Sequence, residues 1–414
     1  MNSLLKLDGI ICSAEGDHLR EEDSISTEHA LQYAQEQGAK ALIKHKDYFQ
    51  AIYLPLPTCL EKLTTSHHGT TYLFLNLEET EDIGFAKEQE RLDIYCAGIN
   101  EANEYEVAPH RIYSRQRIHD FLKSIEDGSY QCTRPNGNPK VEERWANQFL
   151  ELMKEETDTF SFLWDPADYS WGIELPTLVK SRSIESPKRS VILPLHRFFP
   201  WDWRAILRTE PVFDQKIPKA VWRGTNSSPF YRKRKEITEA EHTRKKTSRR
   251  DLVERHFSNR IHDIALSELV YVPPEKGITD DADKYVRNRL TIDEHLQYKY
   301  IICAEGNDYP SNLPWVLLSN SVPVMPPPFV ETWLVERRLL AWKHYVPLAY
   351  DFSDLDEKIN WCNCHPDLCR DIAYRSKMFA LQFFDQELEQ RLAKSVIRRY
   401  RKNVRLDIKI ESHI

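Results

Sequence analysis

Apolar and polar positions alternate along this chain in two rhythms. Over residues 1 to 160, stretches with helical spacing, such as "STEHALQYAQEQGAKALIKHKDYFQAI", are mixed with strand-like runs, "TTYLFLNLE" and "LDIYCAGI", and Gly and Pro mark the breaks. From Ala220 onward the units are shorter: "AVWRG", a charged stretch, "RRDLVERHF", "YIICAEG", "PWVLLSN", "VPVM", "ETWLVERRLLAW", "HYVPLAYD" and a helical end, "DQELEQRLAKSVIRRYRKNV". Short apolar runs alternating with amphipathic segments predict a parallel sheet wrapped by helices, so the expected fold class is α/β. No internal repeat or low-complexity linker interrupts the pattern.

Length and charge narrow this picture. A chain of 414 residues exceeds one ordinary core and predicts two domains. A formal net charge of −7 argues against a protein that binds polyanions over its whole surface, so any basic surface is local. One such stretch, Tyr231 to Arg250, carries nine Lys or Arg against three Glu. Aromatic residues are nearly absent from it, which favours a solvated basic segment over a nucleic-acid interface; its expected partners are a phosphorylated glycan or an anionic membrane surface, not RNA. The eight cysteines form no dense framework and read as reduced thiols in a cytoplasmic setting. The first residues, "MNSLLKLDGIICSAEGDHLREED", are interrupted by Asp8 and lack a basic leader, so they read as mature chain. No apolar run approaches the ~18 residues that suggest a membrane span.

The stretch "YIICAEGNDYPSNLPWVLLSNSVPVM", residues 300–325, sets small polar groups between two apolar runs. "YIIC" is a plausible buried strand, and "AEGND" follows at its carboxyl end, where open α/β sheets bind ligands. Ser311 suits the N-cap of "NLPWVLL", and Pro314 falls in the first turn, where a missing N–H costs little. The patch thus reads as a strand-to-helix loop that ends in exposed backbone donors, an anion site in waiting. An ordinary polar loop is the alternative.

Four motifs occur in order: "VWRGT", "YKYIICAEGNDYPSNLPWVLLSNSVPVM", "FVETW" and "HYVPLAYDFSDLDEKINW". Together they resemble glycosyltransferase family 90, in its bacterial lipopolysaccharide A protein-like branch, with the protein O-glucosyltransferases as more distant relatives. The resemblance runs from about Ser161 to Ser376. It implies two Rossmann-like domains facing a cleft, the GT-B arrangement, and an inverting transfer of a sugar from a nucleotide donor, usually UDP-linked, without a metal or other cofactor. On that reading residues 1–195 form an α/β acceptor-side domain, 196–380 bind the nucleotide sugar, and 381–414 form a helix packed across the two. The acceptor would be a glycan or lipid-linked glycan such as lipopolysaccharide or capsule.

Inverting transfer needs a base for the acceptor hydroxyl and cationic or N–H groups for the departing diphosphate. Arg223 follows the strand-like "KAVW" in the arginine region that the family uses for the nucleotide, and Gly224 lets the backbone turn closely past a ligand. An ion pair between Arg223 and a local carboxylate is the competing reading. Arg250 matches a second family arginine, with Arg249 its nearest competitor. Where the eukaryotic relatives carry an arginine at the helix start this chain has Asn312, so the charge would come from Arg223, Arg250 and the helix N-terminus. Glu305 and Asp308 would repel a diphosphate and instead hold sugar or ribose hydroxyls or orient the loop, beside Gly306, Asn307, Ser311 and Trp315. Glu331 and Trp333 lie where the next loop would meet the pocket. For the base, "SFLWDPADYSWG" offers Asp168, which precedes an aromatic residue as in the family, with Asp165 as the alternative.

Other groups read as structural. Cys362, Cys364, His365 and Cys369 are close in sequence but lack a second ligand pair at zinc spacing. Ser353 and Asp356 suggest a helix-capping box, and "DEKINWC" a helix. His344 and Tyr345 suit either a donor pocket or strand-end packing. Trp201, Trp203 and Trp222 are expected in a core. There is no P-loop, G-x-S-x-G or G-x-G-x-x-G.

Overall fold

The structure, a computed structural model, describes residues 3–12, 17–20, 26–37, 39–45, 48–52, 63–75, 83–108, 111–127, 139–154, 160–165, 173–185, 189–195, 206–227, 249–259, 261–270 and 281–408. The chain divides into two units built from separated segments. The first comprises Met1–Phe85, Phe198–Pro328 and Arg338–Gln386, and the second Ala86–Arg197, Phe329–Arg337 and Glu387–Ile414.

The first unit opens with β1 (Ser3–Cys12), β2 (Asp17–Arg20), α1 (Thr27–Glu36), β3 (Ala41–Lys44), β4 (Tyr48–Ile52) and β5 (Leu63–Leu75). The strands pair antiparallel throughout, in the order β1-β5-β3-β4-β2. Ser26 caps α1 by accepting from the His29 amide at 3.3 Å, and Ala30 and Ala34, one turn apart, pack on Leu42 and Ala51.

The second unit follows with α2 (Glu88–Tyr95), β6 (Asn103–Val107), α3 (Arg115–Glu126), α4 (Pro139–Leu152), β7 (Leu163–Asp165), β8 (Thr177–Val179), β9 (Arg182–Ser183) and β10 (Ser190–Ile192). Strands β10-β8-β7 form a parallel sheet. The strand expected over "LDIYCAGI" is corrected here, because its first four residues complete α2. In a helix Arg91 and Tyr95 are neighbours, whereas in a strand they would stand about 13 Å apart. That adjacency lets the buried Arg91 fork hold both oxygens of Glu389 at 2.6 Å while it donates to the Tyr95 hydroxyl.

The chain then supplies α5 (Ile206–Thr209), β11 (Ile217–Thr225), α6 (Arg249–His256), β12 (Asp263–Glu268), α7 (Ile292–His295), β13 (Tyr298–Ile302), α8 (Leu313–Leu318) and β14 (Val322–Met325) to the first unit. A two-residue strand of the second unit, β15 (Val330–Glu331), pairs antiparallel with β9. Next come β16 (Val346–Pro347), α9 (Leu355–Cys364) and α10 (Pro366–Leu381) in the first unit, then α11 (Gln386–Asn403) and β17 (Val404–Ile408). The last strand pairs parallel with β6, and α11 is the helix expected from the amphipathic C-terminal pattern.

Strands β12-β11-β13-β14-β16 make the five-stranded parallel sheet that the sequence from Ala220 predicts. Alternate residues, Ala220 and Trp222, Ile264 and Leu266, Tyr300 and Ile302, Val322 and Val324, share one buried face with Leu252 and Val253 of α6 and with residues of α9 and α10. The sequence-based cap assignments change. Ser353 bonds Asp351, while Asp354 stands at the N-cap of α9 with its Oδ1 accepting from the Ala349 amide at 2.9 Å, so the Ser353–Asp356 box does not form.

Candidate functional site

The carboxyl edge of the parallel sheet gathers the end of β11, the start of α6 and the loop after β13. At the end of β11 the register with β12 slips between Gly224 and Thr225, an irregularity of the kind that re-aims a strand end. Gly224 serves packing within its own strand: a Cβ there would lie 2.4 Å from Cζ2 of Trp222, so glycine lets that indole lie along the strand. Trp222 is buried in the core.

Arg249, the first residue of α6, ties this edge together. Its Nη1 donates to the Thr225 carbonyl at 3.1 Å and the Ser227 hydroxyl at 2.9 Å, and its Nη2 to the Ala304 carbonyl at 3.0 Å. The guanidinium lies 5.7 Å from the Trp222 ring. Among the described residues its bonded partners are all neutral, and its Nε, cut off from solvent, meets no hydrogen-bond acceptor there. Burial pushes the guanidinium down to about 10, against the pull of the nearby Glu305 charge, so the group stays cationic at neutral pH. Gly306 lies against it: a Cβ would fall 2.8 Å from Nη2, and any side chain would displace the fork.

The loop after β13 runs Cys303 to Asn312. The Gly306 amide donates to the Asp308 carbonyl at 3.0 Å, and the Asn312 side-chain amide donates back to the Ile302 carbonyl at 2.9 Å, closing the loop on its strand. Glu305 is half-buried, Asn307 exposed and Asp308 buried. Ser311 is exposed and does not cap the helix; Asn312 occupies the N-cap, in helical conformation and without a side-chain cap bond. Pro314 stands in the first turn as expected. With only six residues, α8 offers little aligned dipole. Trp315 is buried edge-on to the His295 ring, 5.7 Å between centroids.

The remaining expected residues are placed elsewhere. Arg223 points to the opposite face from Trp222 and Gly224, toward the start of β12. Its Nη2 meets Asp263 Oδ1 at 2.8 Å, Nη1 the Asp263 carbonyl at 3.0 Å and Nε the Asn288 carbonyl at 3.1 Å. Asp263, although burial opposes its charge, is held below its usual range by Arg223, Tyr298 and Arg287. Arg250 turns outward and pairs with Glu254 at 2.6 Å. Glu331 and Trp333 belong to the second unit. There Glu331 is fully buried between Arg182, at 2.9 Å, and Arg337, and Trp333 is buried with its carbonyl accepting from Tyr95. Asp165 ends β7, half-buried. Asp168, Trp201, Trp203 and residues 231–248 of the basic segment lie outside the described residues. His344 is buried, with Nδ1 accepting from the Leu340 amide at 2.9 Å and its ring against Phe379, and Tyr345 is buried beside it. Cys362 and Cys369 are buried in the core while Cys364 is exposed; among the described residues no group of three His, Cys, Asp or Glu is arranged to hold a metal.

Thr225, Ser227 and the Ala304 carbonyl have no place in the sequence reading. For Thr225 and Ser227 the signal is the run "RGTNSS", small hydroxyl residues at the end of a buried strand.

Residues 200–414 match the family model described as Glycosyl transferase family 90, just over half of the chain, and the chain belongs to that family. It is similar to the O-glucosyltransferase LpsA of Dichelobacter nodosus, 30% identical over 231 residues, 55% of this chain and 62% of that protein. It is also 30% identical over 173 residues to protein O-glucosyltransferase 2 of Danio rerio, 42% of this chain and 30% of that protein. A shorter stretch of 88 residues is 31% identical to protein O-glucosyltransferase 3 of Rattus norvegicus, 21% of this chain and 17% of that protein. Each match thus spans less than two thirds of the relative's length.

Proposed function

We propose that this chain is an inverting glycosyltransferase that moves a sugar from a nucleotide donor, a UDP-sugar, to a hydroxyl of a glycan acceptor such as lipopolysaccharide or capsule. The observation that carries the reading is Arg249, a cation with neutral partners at the carboxyl edge of a parallel sheet, in the half of the chain that matches the family. Open α/β sheets take ligands at that edge, and an enclosed cation with no carboxylate hydrogen-bonded to it among the described residues suits a diphosphate. In this proposal Arg249 takes the role that the sequence offers to Arg250, Gly306 keeps its fork in place, and Glu305, Asn307 and Asp308 face hydroxyls of the donor. The parallel sheet supplies one Rossmann-like half of a GT-B enzyme.

The chemistry is a single displacement. A carboxylate, Asp168 or else Asp165, takes the proton of the acceptor hydroxyl as its oxygen attacks the anomeric carbon from the side opposite the leaving group. The bond to the diphosphate oxygen breaks, and Arg249 offsets the charge that develops there, so the proposed reaction needs no metal. The proposed setting is cytoplasmic, with peripheral contact to an anionic membrane surface; among the described residues no helix is long and apolar enough to cross a membrane.

A screen of nucleotide sugars for thermal stabilisation tests the donor class. A ligand at a hundredfold its Kd adds about 2.7 kcal/mol, so a UDP-sugar should raise the melting midpoint by several degrees. Silence across UDP, UDP-glucose and the other UDP-sugars would overturn it.

A further inference from the structure

At the opposite edge of the same sheet, among the amino ends of its strands, lies a cavity of about 470 Å³. That volume falls in the range of small-molecule sites. One wall is apolar and aromatic, from Val212, Phe213, Ala373 and Tyr374, and its polar lining includes Asn320 and Lys377.

Lys377 is a buried lysine that shares its carboxylate partner with a second buried lysine. Glu210 is the carboxylate near it, at 3.6 Å, and that carboxylate is already held by Lys216 at 3.0 Å and by the Asn320 backbone amide through both oxygens. Lys216 is saturated, its other two protons going to the Leu296 carbonyl at 2.7 Å and the Ser321 hydroxyl at 2.9 Å. Among the described residues Lys377 makes one hydrogen bond, to Asn320 Oδ1, and so keeps donor capacity on the cavity wall. Two buried ammoniums thus share one carboxylate. Among the other charged groups lining the cavity, Arg370 is bonded to Asp214 at 2.7 Å and to the exposed Asp367, and Arg375 is matched in number by Asp371. Within the buried cluster the two lysines outnumber Glu210 by one, and a buried charge that shares its partner is costly.

We propose that this cavity is a second binding site, for a six-membered-ring compound carrying one anionic group of the sugar phosphate or sugar acid class. The anionic group sits on Lys377 and the ring lies against Phe213 and Tyr374. The site is separate from the donor edge, which lies at the other ends of the strands.

The test is calorimetric titration of the full chain with glucose 6-phosphate, glucuronate, inorganic phosphate and glucose, with and without saturating UDP. Saturable binding of glucose 6-phosphate or glucuronate is expected, with glucose inert and inorganic phosphate weaker. Lys377→Met should weaken binding at least about tenfold, the effect of losing a charge-assisted hydrogen bond, yet fold as well as wild type because it leaves Glu210 and Lys216 as a balanced pair. Should Lys377→Met fail to fold, Asn320→Asp supplies the missing carboxylate in nearly the same shape and should abolish binding by itself. UDP affinity should be unchanged in both variants. Absence of saturable binding in wild type, equal binding in the variants, or inorganic phosphate binding as tightly as the sugars would overturn the assignment. Absence of UDP binding in wild type would count against the donor reading and not against this one, whereas loss of UDP affinity in the variants would overturn the separation of the two sites.

Discussion

Arg223 and Arg249 serve the same sheet, and they are held in opposite ways. Arg223 ends against the carboxylate of Asp263, with carbonyls taking its other protons. Arg249 has carbonyls and hydroxyls around it, an indole beside it and one buried N–H left over. Neutral acceptors fix an arginine's direction without cancelling its charge. A carboxylate does both, so the paired arginine braces the sheet and the other remains able to meet an anion.

If that contrast is functional, chemistry, binding and stability should separate by residue. The largest effect belongs to the base: Asp168→Asn should lower transfer by about 10²- to 10⁴-fold while UDP affinity, measured by calorimetry, stays near wild type. Full activity in Asp168→Asn with collapse in Asp165→Asn would move the role to Asp165. Next, Arg249→Met should weaken UDP binding by about 1.5 to 3 kcal/mol with the fold intact, the range for a hydrogen bond to a charged group. Arg223→Met should do the reverse, leaving UDP affinity unchanged and lowering stability by about 1 to 3 kcal/mol in denaturant titration, because Asp263 loses its main partner. Equal UDP losses in both variants would erase the distinction. The glycines offer a finer version: Gly306→Ala should push the Arg249 fork aside and cost several-fold in UDP affinity, whereas Gly224→Ala, which drives into Trp222, should lower the melting midpoint.

The smallest effect is a pH dependence in the second unit. Burial pushes the Glu336 carboxyl up to about 8, against two hydrogen bonds from Thr332. The folded chain therefore keeps a proton that the unfolded chain releases from about pH 4.5 upward, and this contribution to stability is lost as pH rises toward 8. Glu336→Gln cannot release that proton. Its melting midpoint should match wild type below pH 4.5 and exceed it by about a few degrees at pH 8; a constant offset at every pH would show that the shift in Glu336 is unimportant.

The parallel sheet was legible because buried parallel strands read as short continuous apolar runs, and "AVWRG", "YIIC" and "VPVM" are such runs. The loop after β13 was legible for the same reason, by what it interrupts. Which of two adjacent arginines faces that loop was not, since neighbours on a helix point about 100° apart and the phase of α6 is set by Leu252 and Val253 reaching the core. Arg223 was ambiguous because its partner, Asp263, lies 40 residues on. Glu331 reads as a loop residue until Arg182, 149 residues earlier, is brought beside it. The helix α2 was misread because its aromatic and β-branched end resembles a strand, and its true partner, Glu389, is 298 residues away.

The pairing of β17 with β6 has a consequence for how the protein is made. Asn103 to Val107 wait for Val404 to Ile408, and Arg91 waits for Glu389, so synthesis must pass Ile408 before the second unit can close. Such long-range closure is slow and leaves a strand edge open in the meantime. During synthesis, β6 is a stretch in need of protection from other chains.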